Sequence, residues 1–258
     1  MRALFTADTN MKHIALLLGL LLATLGVCAA QSDEAFIEKT LYPATALLYS
    51  QDSQGGMNMH CTVTAIKKLD TGYRFVTAAH CVAQDNEARK EVEIRRTSFF
   101  ITSDTIGSKE FLPARVVVAG YQHRGDDFAL LDVETDAIFP TIEIGTDVVS
   151  HSGESVVNMA SPQGLGKQIF MGHVSSPKLD RPVESGDISW TGAMLVQLFG
   201  TNGGSSGSAI VSTKQKAICG FLVGSIGGTS IVAIPVSKYK TFLKLYEEGK
   251  YKWFKGED

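Results

Sequence analysis

The sequence lacks an excess of either charge. Its 24 Lys and Arg stand against 27 Asp and Glu over 258 residues, a net charge of −3, and no long run of one sign gathers them into a patch. A polyanion-binding face needs a basic cluster, so the composition argues against nucleic acid as a partner. Long apolar runs are scarce too. Apart from residues 14–30, apolar residues come in short stretches, and no long helical period interrupts them before the C-terminal tail. Cysteine is sparse, with four in all at Cys28, Cys61, Cys81 and Cys219. Against these absences, 44% apolar content is enough to bury a substantial core as one domain or two small ones, which excludes a disordered chain.

The one apolar run, "IALLLGLLLATLGVCAA", follows Lys12 and His13 and precedes polar "QSDE". This is the pattern of an export signal over residues 1–30, with cleavage near Ala30. Met11 is an alternative start that gives a more compact basic leader. Seventeen apolar residues sit at the short limit for a bilayer span, so an uncleaved anchor is the rival reading. Val27, where a small residue belongs, argues against lipid attachment at Cys28. The expected location is secreted or periplasmic, with no stable membrane association unless the leader is retained.

In an oxidising compartment paired cysteines are the default, and Cys61, Cys81 and Cys219 cannot all pair within one chain. Cys61 opens "CTVTAIKK" and Cys81 closes "GYRFVTAAHC", two strand-like runs around the turn signal "LDTG". A hairpin would bring their outer ends together. A Cys61–Cys81 bridge would close a loop of about 20 residues and contribute on the order of 3 kcal/mol by chain entropy. Cys219, in "AICGFLVG", reads as a buried free thiol.

After residue 36 the chain is a series of short strand-like runs bounded by Gly, Asp, Asn or Pro, the signature of all-β barrels or sandwiches. A break near "FPTIEIGTDVVSHSG" divides the series into halves, about 36–140 and about 150–235. The tail "VSKYKTFLKLYEE" predicts one helix over about 237–248, capped by Ser237. Its stripe of Tyr239, Phe242, Leu243 and Tyr246 is expected to pack on the second half.

Three short segments carry chemistry. "TAAHC" ends in His80 and Cys81, "DDFALLDVE" sets Asp127 before an apolar strand, and "NGGSSGSAIV" sets Ser206 in a glycine-rich turn. Taken singly, each is an ordinary core histidine, strand-end acid or flexible turn. Taken together in the order His80, Asp127, Ser206, they supply a proton acceptor, a carboxylate to fix its tautomer, and a hydroxyl nucleophile. The turn glycines permit the dihedrals by which backbone N–H groups, here those of Gly204 and Ser206, can face a developing oxyanion.

These motifs resemble those of trypsin-like, chymotrypsin-fold serine proteases, and among them the bacterial HtrA-type branch. "ASPQGLGKQIFMGHVSS" and "SIVAIPVSKY" extend the similarity, which covers roughly residues 40–245. The resemblance implies two six-stranded antiparallel β-barrels with a short C-terminal helix, and catalytic residues in the cleft between the barrels. It implies an exported serine endopeptidase acting on protein or peptide substrates without a cofactor, with Asp127 as the catalytic acid and Asp126 as the alternative. It also matches Cys61 and Cys81 to a histidine-loop disulfide. The position six residues before the nucleophile, Gly200, falls at the floor of the primary pocket. With Thr201 and with Gly224, Gly227 and Gly228 for walls, it carries no acid to select Arg or Lys. Where digestive members hold an activating Asp, this chain has Ser205, so no buried N-terminal ammonium is expected to order the loop; hydrogen bonds from Ser205 with Thr201 or Asn202 are expected instead. Only 23 residues follow Pro235, which leaves no room in this sequence for the PDZ domain common in HtrA-type proteins.

Rival readings are weaker. Ser205 satisfies a G-x-S-x-G elbow, but that hydrolase class needs a histidine after the serine, and the last here is His173. A metal site drawn from His60, Cys61, His80 and Cys81 lacks ligand spacing. The remaining alternative is a catalytically silent protease-fold binding module. Composition does not fix an oligomeric state.

Overall fold

The computed structural model describes residues 33–107, 110–145, 151–185, 188–227 and 229–254. The expected leader, and Gly228, lie outside them. The described chain opens with a helical segment, α1 (residues 33–44), then forms sixteen strands and a second helix, α2 (Val236–Glu247).

The first barrel is closed by β1 (Thr45–Gln51), β2 (Met57–Leu69), β3 (Gly72–Thr77), β8 (Ala129–Glu134), β7 (Leu112–Ala119) and β6 (Ser98–Thr102), in that spatial order. A small hairpin of β4 (Ala83–Asn86) and β5 (Glu91–Ile94) stands outside it. The second barrel is closed by β10 (Gln168–Ser176), β13 (Met194–Gln197), β16 (Ser230–Pro235), β15 (Ala217–Ile226), β14 (Ala209–Ser212) and β9 (Ser155–Ala160). Between β10 and β13 the chain makes a second hairpin, β11 (Val183–Ser185) with β12 (Ile188–Trp190). All these pairings are antiparallel. The fold is all-β, the two six-stranded barrels that the resemblance implies.

The strands of the second barrel are apolar at consecutive positions, and the packing gives the reason. Side chains alternate between the faces of a strand. In β16, Ile231 and Ala233 fill the barrel interior, whereas Val232 and Ile234 join the core that spans the seam and the first barrel. β9 and β14 divide in the same way, with Val156 and Ile210 inside and Val157 and Val211 toward the seam. Both faces are buried, so both parities are apolar.

The C-terminal helix corrects two expectations. Its N-cap is Pro235 without a side-chain cap, so Ser237 lies inside the first turn rather than capping it. The helix also packs on both barrels rather than on the second alone. Tyr239 lies against Phe221 of β15 (centroids 5.5 Å apart) and against Phe128 (5.5 Å), and Phe242 against Phe128 (5.9 Å). Phe128 immediately precedes β8, so one aromatic cluster joins both barrels and the helix. A second tie crosses at Lys167. Its almost fully buried side chain donates to the carbonyls of Tyr42 (3.0 Å) and Thr45 (3.3 Å) and lies 3.4 Å from Asp104 Oδ2.

Candidate active site

The register of β3 and β8 brings the first two residues together. Thr77, the last residue of β3, pairs with Ala129, the first of β8. The chain leaving β3 and the chain entering β8 therefore meet at one end of the barrel. His80 sits in a 3₁₀ turn, Ala79–Cys81, and Asp127 lies two residues before Ala129. His80 Nδ1 is 2.8 Å from Asp127 Oδ2, and the His80 backbone N–H donates to Oδ1 at 2.9 Å. Asp127 is fully buried, whereas Asp126 turns the other way and accepts from the Tyr251 hydroxyl at 3.2 Å.

A third donor completes the carboxylate. The indole Nε1–H of Trp190, on β12, reaches Asp127 Oδ2 at 3.0 Å. Burial alone would raise the Asp127 carboxyl, but the charge of His80 and the hydrogen bonds from His80 and Trp190 hold it below the ordinary carboxylate range. Burial likewise disfavours the His80 imidazolium, but the Asp127 charge and hydrogen bond outweigh it and raise His80 above the ordinary histidine value. With Nδ1 engaged as donor, Nε2 is the basic nitrogen, and it has no partner among the described residues.

The histidine turn is anchored from behind. Cys81 is bridged to Cys61 of β2 with Cα atoms 6.2 Å apart, the disulfide expected from the sequence, and Cys219 is free and buried. Desolvation pushes the Cys219 thiol up to about 12, so it stays protonated and inert. Cys61, His80 and Cys81 cluster within 4.8 Å, but the two sulfurs are joined to each other and His80 Nδ1 is engaged by Asp127. This cluster therefore offers a metal no thiolate.

The turn Asn202–Ser208 docks on the same region of the first barrel. The Thr62 N–H donates to the Ser206 carbonyl (2.9 Å) and the Thr62 hydroxyl to the Gly204 carbonyl (2.8 Å). Gly207 lies so close that a Cβ would stand 2.1 Å from Thr77 Oγ1 and 2.7 Å from the Ala78 nitrogen, and its φ is +84°. Glycine is thus required on both counts, and the contact brings the half-buried Ser206 to the chain that carries His80. The Ser206 hydroxyl itself makes no hydrogen bond among the described residues.

Within this turn most backbone donors are spent. The Asn202 N–H goes to Ser205 Oγ (3.3 Å), Gly203 to Asn202 Oδ1 (2.8 Å), Ser205 to the Asn202 carbonyl (2.9 Å), Gly207 to the Leu222 carbonyl (2.7 Å) and Ser208 to the Ser205 carbonyl (3.2 Å). The N–H groups of Gly204 and Ser206 have no acceptor among the described residues. The Gly203 carbonyl accepts from the Gln163 N–H at 2.6 Å. Because the peptide is planar and trans, the Gly204 N–H is aimed away from Gln163. A Cβ on Gly204, at φ +95°, would stand 2.5 Å from the Ser161 carbonyl, so this position also requires glycine.

From inside the second barrel Asn158, opposite Ile210, donates to both Ser208 Oγ and the Ala209 carbonyl at 2.8 Å. Asn158 and Trp190 were not read from the sequence. Asn158 left a weak signal, an amide inside the apolar run "VVNMA"; Trp190 left none.

Gly200 is an exposed turn residue with φ +89° against Phe170. Thr201 is buried, and its hydroxyl has no hydrogen-bond partner among the described residues, so of the two expected partners of Ser205 only Asn202 engages it. Gly224 lies under the Trp190 ring, and Gly227 is in an exposed turn at φ +62°.

Among the described residues no helix is long and apolar enough to cross a membrane. None of the curated proteins matches the chain. A family model, the trypsin-like peptidase domain, matches residues 64–220, more than half of the sequence and the stretch that holds both barrels' seam, His80, Asp127 and Ser206. The chain belongs to the trypsin-like peptidase family.

Proposed function

We propose that the protein is an exported serine endopeptidase that hydrolyses peptide bonds through an acyl-enzyme on Ser206. The observation that carries this reading is the pairing of a His80–Asp127 dyad, its carboxylate fully buried and its Nε2 open, with a docked turn whose Gly204 and Ser206 N–H groups are unspent. His80 Nε2 takes the Ser206 proton as Oγ attacks the substrate carbonyl carbon. The carbonyl oxygen, now anionic, is received by the two free N–H groups. His80 then gives the proton to the leaving amine, and the C–N bond breaks. Water, deprotonated by His80, releases the second product and restores the Ser206 hydroxyl. A resting Ser206 hydroxyl without a partner is compatible with this, because such contacts tighten on substrate binding.

The Cys61–Cys81 bridge supports the export reading, since disulfides persist in oxidising compartments. The absence of an acid at Gly200 and the buried, uncharged Thr201 support a preference for small or medium apolar side chains, because a cation held beside Thr201 would be unpaired. The HtrA-type branch is the reading its motifs favour within the family.

A fluorophosphonate probe tests the reading. It should label the wild-type protein and not Ser206→Ala, and His80→Ala should lose labelling and peptide turnover while remaining folded. Absence of wild-type labelling would identify a silent binding module instead. A peptide library should show cleavage after small or medium apolar residues; dominant cleavage after Arg or Lys would overturn the pocket assignment.

A further inference from the structure

Among the described residues the Asp127 carboxylate receives three hydrogen bonds, and two of them come from His80 itself. Those two move with the histidine turn and cannot fix the carboxylate independently of it. The third comes from the opposite side of the seam. Trp190 is carried by the β11–β12 hairpin, an excursion between two strands of the second barrel, and its side chain is almost fully buried.

The hairpin is itself fastened. Lys238 of α2 donates to the carbonyls of Thr191 (2.5 Å) and Arg124 (3.1 Å), joining the residue after Trp190 to the turn that leads into Asp127. The indole also has a prepared bed. A Cβ on Gly224 would stand 2.6 Å from the Trp190 Cη2, so the ring reaches Asp127 only because position 224 carries no side chain. Gly224 lies beside a bulge in β15, between Leu222 and Gly224, a feature that re-aims a strand next to a site.

We propose that Trp190 is a positioning residue for the His80–Asp127 pair: its indole N–H fixes the carboxylate, and through it the imidazole, from the second barrel, with Gly224 as the required complement. The activity arm of this proposal rests on the serine-protease reading; its titration arm does not. An indole N–H pointed at the carboxylate also places the positive end of a dipole beside His80. It takes up part of the carboxylate charge and so tempers the basicity of the imidazole. A tryptophan serving only as core filler would have neither effect.

Trp190→Phe keeps most of the bulk and removes the donor. The measurement is the His80 titration by NMR in wild-type and variant proteins, with thermal denaturation to establish folding and kcat/KM against pH. The expected result is a folded variant whose His80 midpoint lies above that of the wild type, with the acid limb of kcat/KM displaced the same way. A fall in kcat of about tenfold is expected, since a hydrogen bond to a charged group is worth about that factor. Gly224→Ala should raise the midpoint in the same way by pushing the ring off Asp127, and it carries the test if Trp190→Phe does not fold. An unchanged His80 midpoint in the folded variant overturns the proposal whether or not any peptide is cleaved. A raised midpoint in a protein that the fluorophosphonate does not label would uphold Trp190's role toward the pair and sink the protease reading alone.

Discussion

His80 binds its proton more tightly than a solvated histidine because the fully buried Asp127 charge faces Nδ1 and outweighs the cost of burial. Two consequences follow, with opposite directions in pH. A group whose folded pKa is raised contributes stability that is fully present below its unfolded value and is lost as pH rises through the folded one. The proposed mechanism needs the neutral form, so activity should grow over the window in which that stability declines. The acid limb of kcat/KM should therefore have its midpoint above about 6.5, the ordinary histidine value, and it should be absent from any residual rate of Ser206→Ala. A midpoint at or below the ordinary value would mean that burial outweighs the Asp127 charge at His80. At this scale the sequence was legible where chemistry restricts residue type. A proposed base, acid and nucleophile, and the glycines of a turn that cannot carry Cβ atoms, fall in recognisable strings. Trp190 was not legible, because "DISW" does not encode where an indole N–H will point once the β11–β12 hairpin crosses the seam. Thr62 was equally silent: its hydroxyl donates to Gly204 across 142 residues of sequence.

The elements that carry these residues are short, and side-chain clamps hold their ends. The 3₁₀ turn Gln122–Arg124, just ahead of Asp127, is tied to the β4–β5 hairpin by His123. Its backbone N–H and Nδ1 meet Asp85 Oδ2 at 2.9 and 2.6 Å, and its Nε2 meets Glu87 Oε1 at 2.8 Å. Both ring nitrogens face carboxylates, so the clamp is complete only in the imidazolium form. The hydrogen bond and charge of Asp85, with a smaller contribution from Glu87, raise His123 above its ordinary value despite some desolvation. Asp85 is nearly buried, and Glu87 is exposed and contributes little. His123→Ala should therefore destabilise the protein by about 1–2 kcal/mol near pH 6, because the buried Asp85 keeps the backbone N–H of position 123 but loses the imidazolium. The loss should shrink as pH rises through the raised His123 value, and also in high salt. Denaturant unfolding of both proteins at two pH values checks this, and a loss that is constant with pH would refute the charged clamp. The strands themselves were legible from their turn signals and apolar runs. The bulges in β2, β7, β10 and β15 were not, because a bulge depends on the partner strand's register rather than on its own sequence. The helix start shifted for a related reason: Pro235 ends β16 and its fixed φ leads directly into α2, so Ser237 had no cap position to fill.

At the scale of the whole molecule, neither barrel holds the site alone, and the closure of each barrel entered through family resemblance rather than through strand spacing. The first barrel supplies His80 and Asp127 and the second supplies Ser206 and Trp190, so the proposed activity would depend on the order of the seam. The turn that carries the two free N–H groups is held by neutral bonds: Asn202 with Ser205, Gln163 to Gly203, Thr62 to Gly204 and Ser206, and Asn158 to Ser208. Ser205 is fully buried and carries no charge, so an ammonium inserted beside it would be buried unpaired at a cost of several kcal/mol. The order of this turn should therefore be independent of the chain's N-terminal residue. Proteins that start at Asp33, or that carry additional residues ahead of it, should show the same kcat/KM and the same fluorophosphonate labelling rate. Thr62→Val is the contrasting case. It preserves shape and removes the hydroxyl that bridges the Ser161 N–H (3.1 Å) and the Gly204 carbonyl (2.8 Å), so the Gly204–Ser205 peptide, which lies between the two free N–H groups, loses a restraint on its orientation. That variant should lose on the order of tenfold in kcat with KM little changed, as expected for a contact that serves the oxyanion rather than the bound substrate. An all-or-none requirement for one N-terminal residue, with Thr62→Val unaffected, would show that the turn is ordered by an inserted terminus after all.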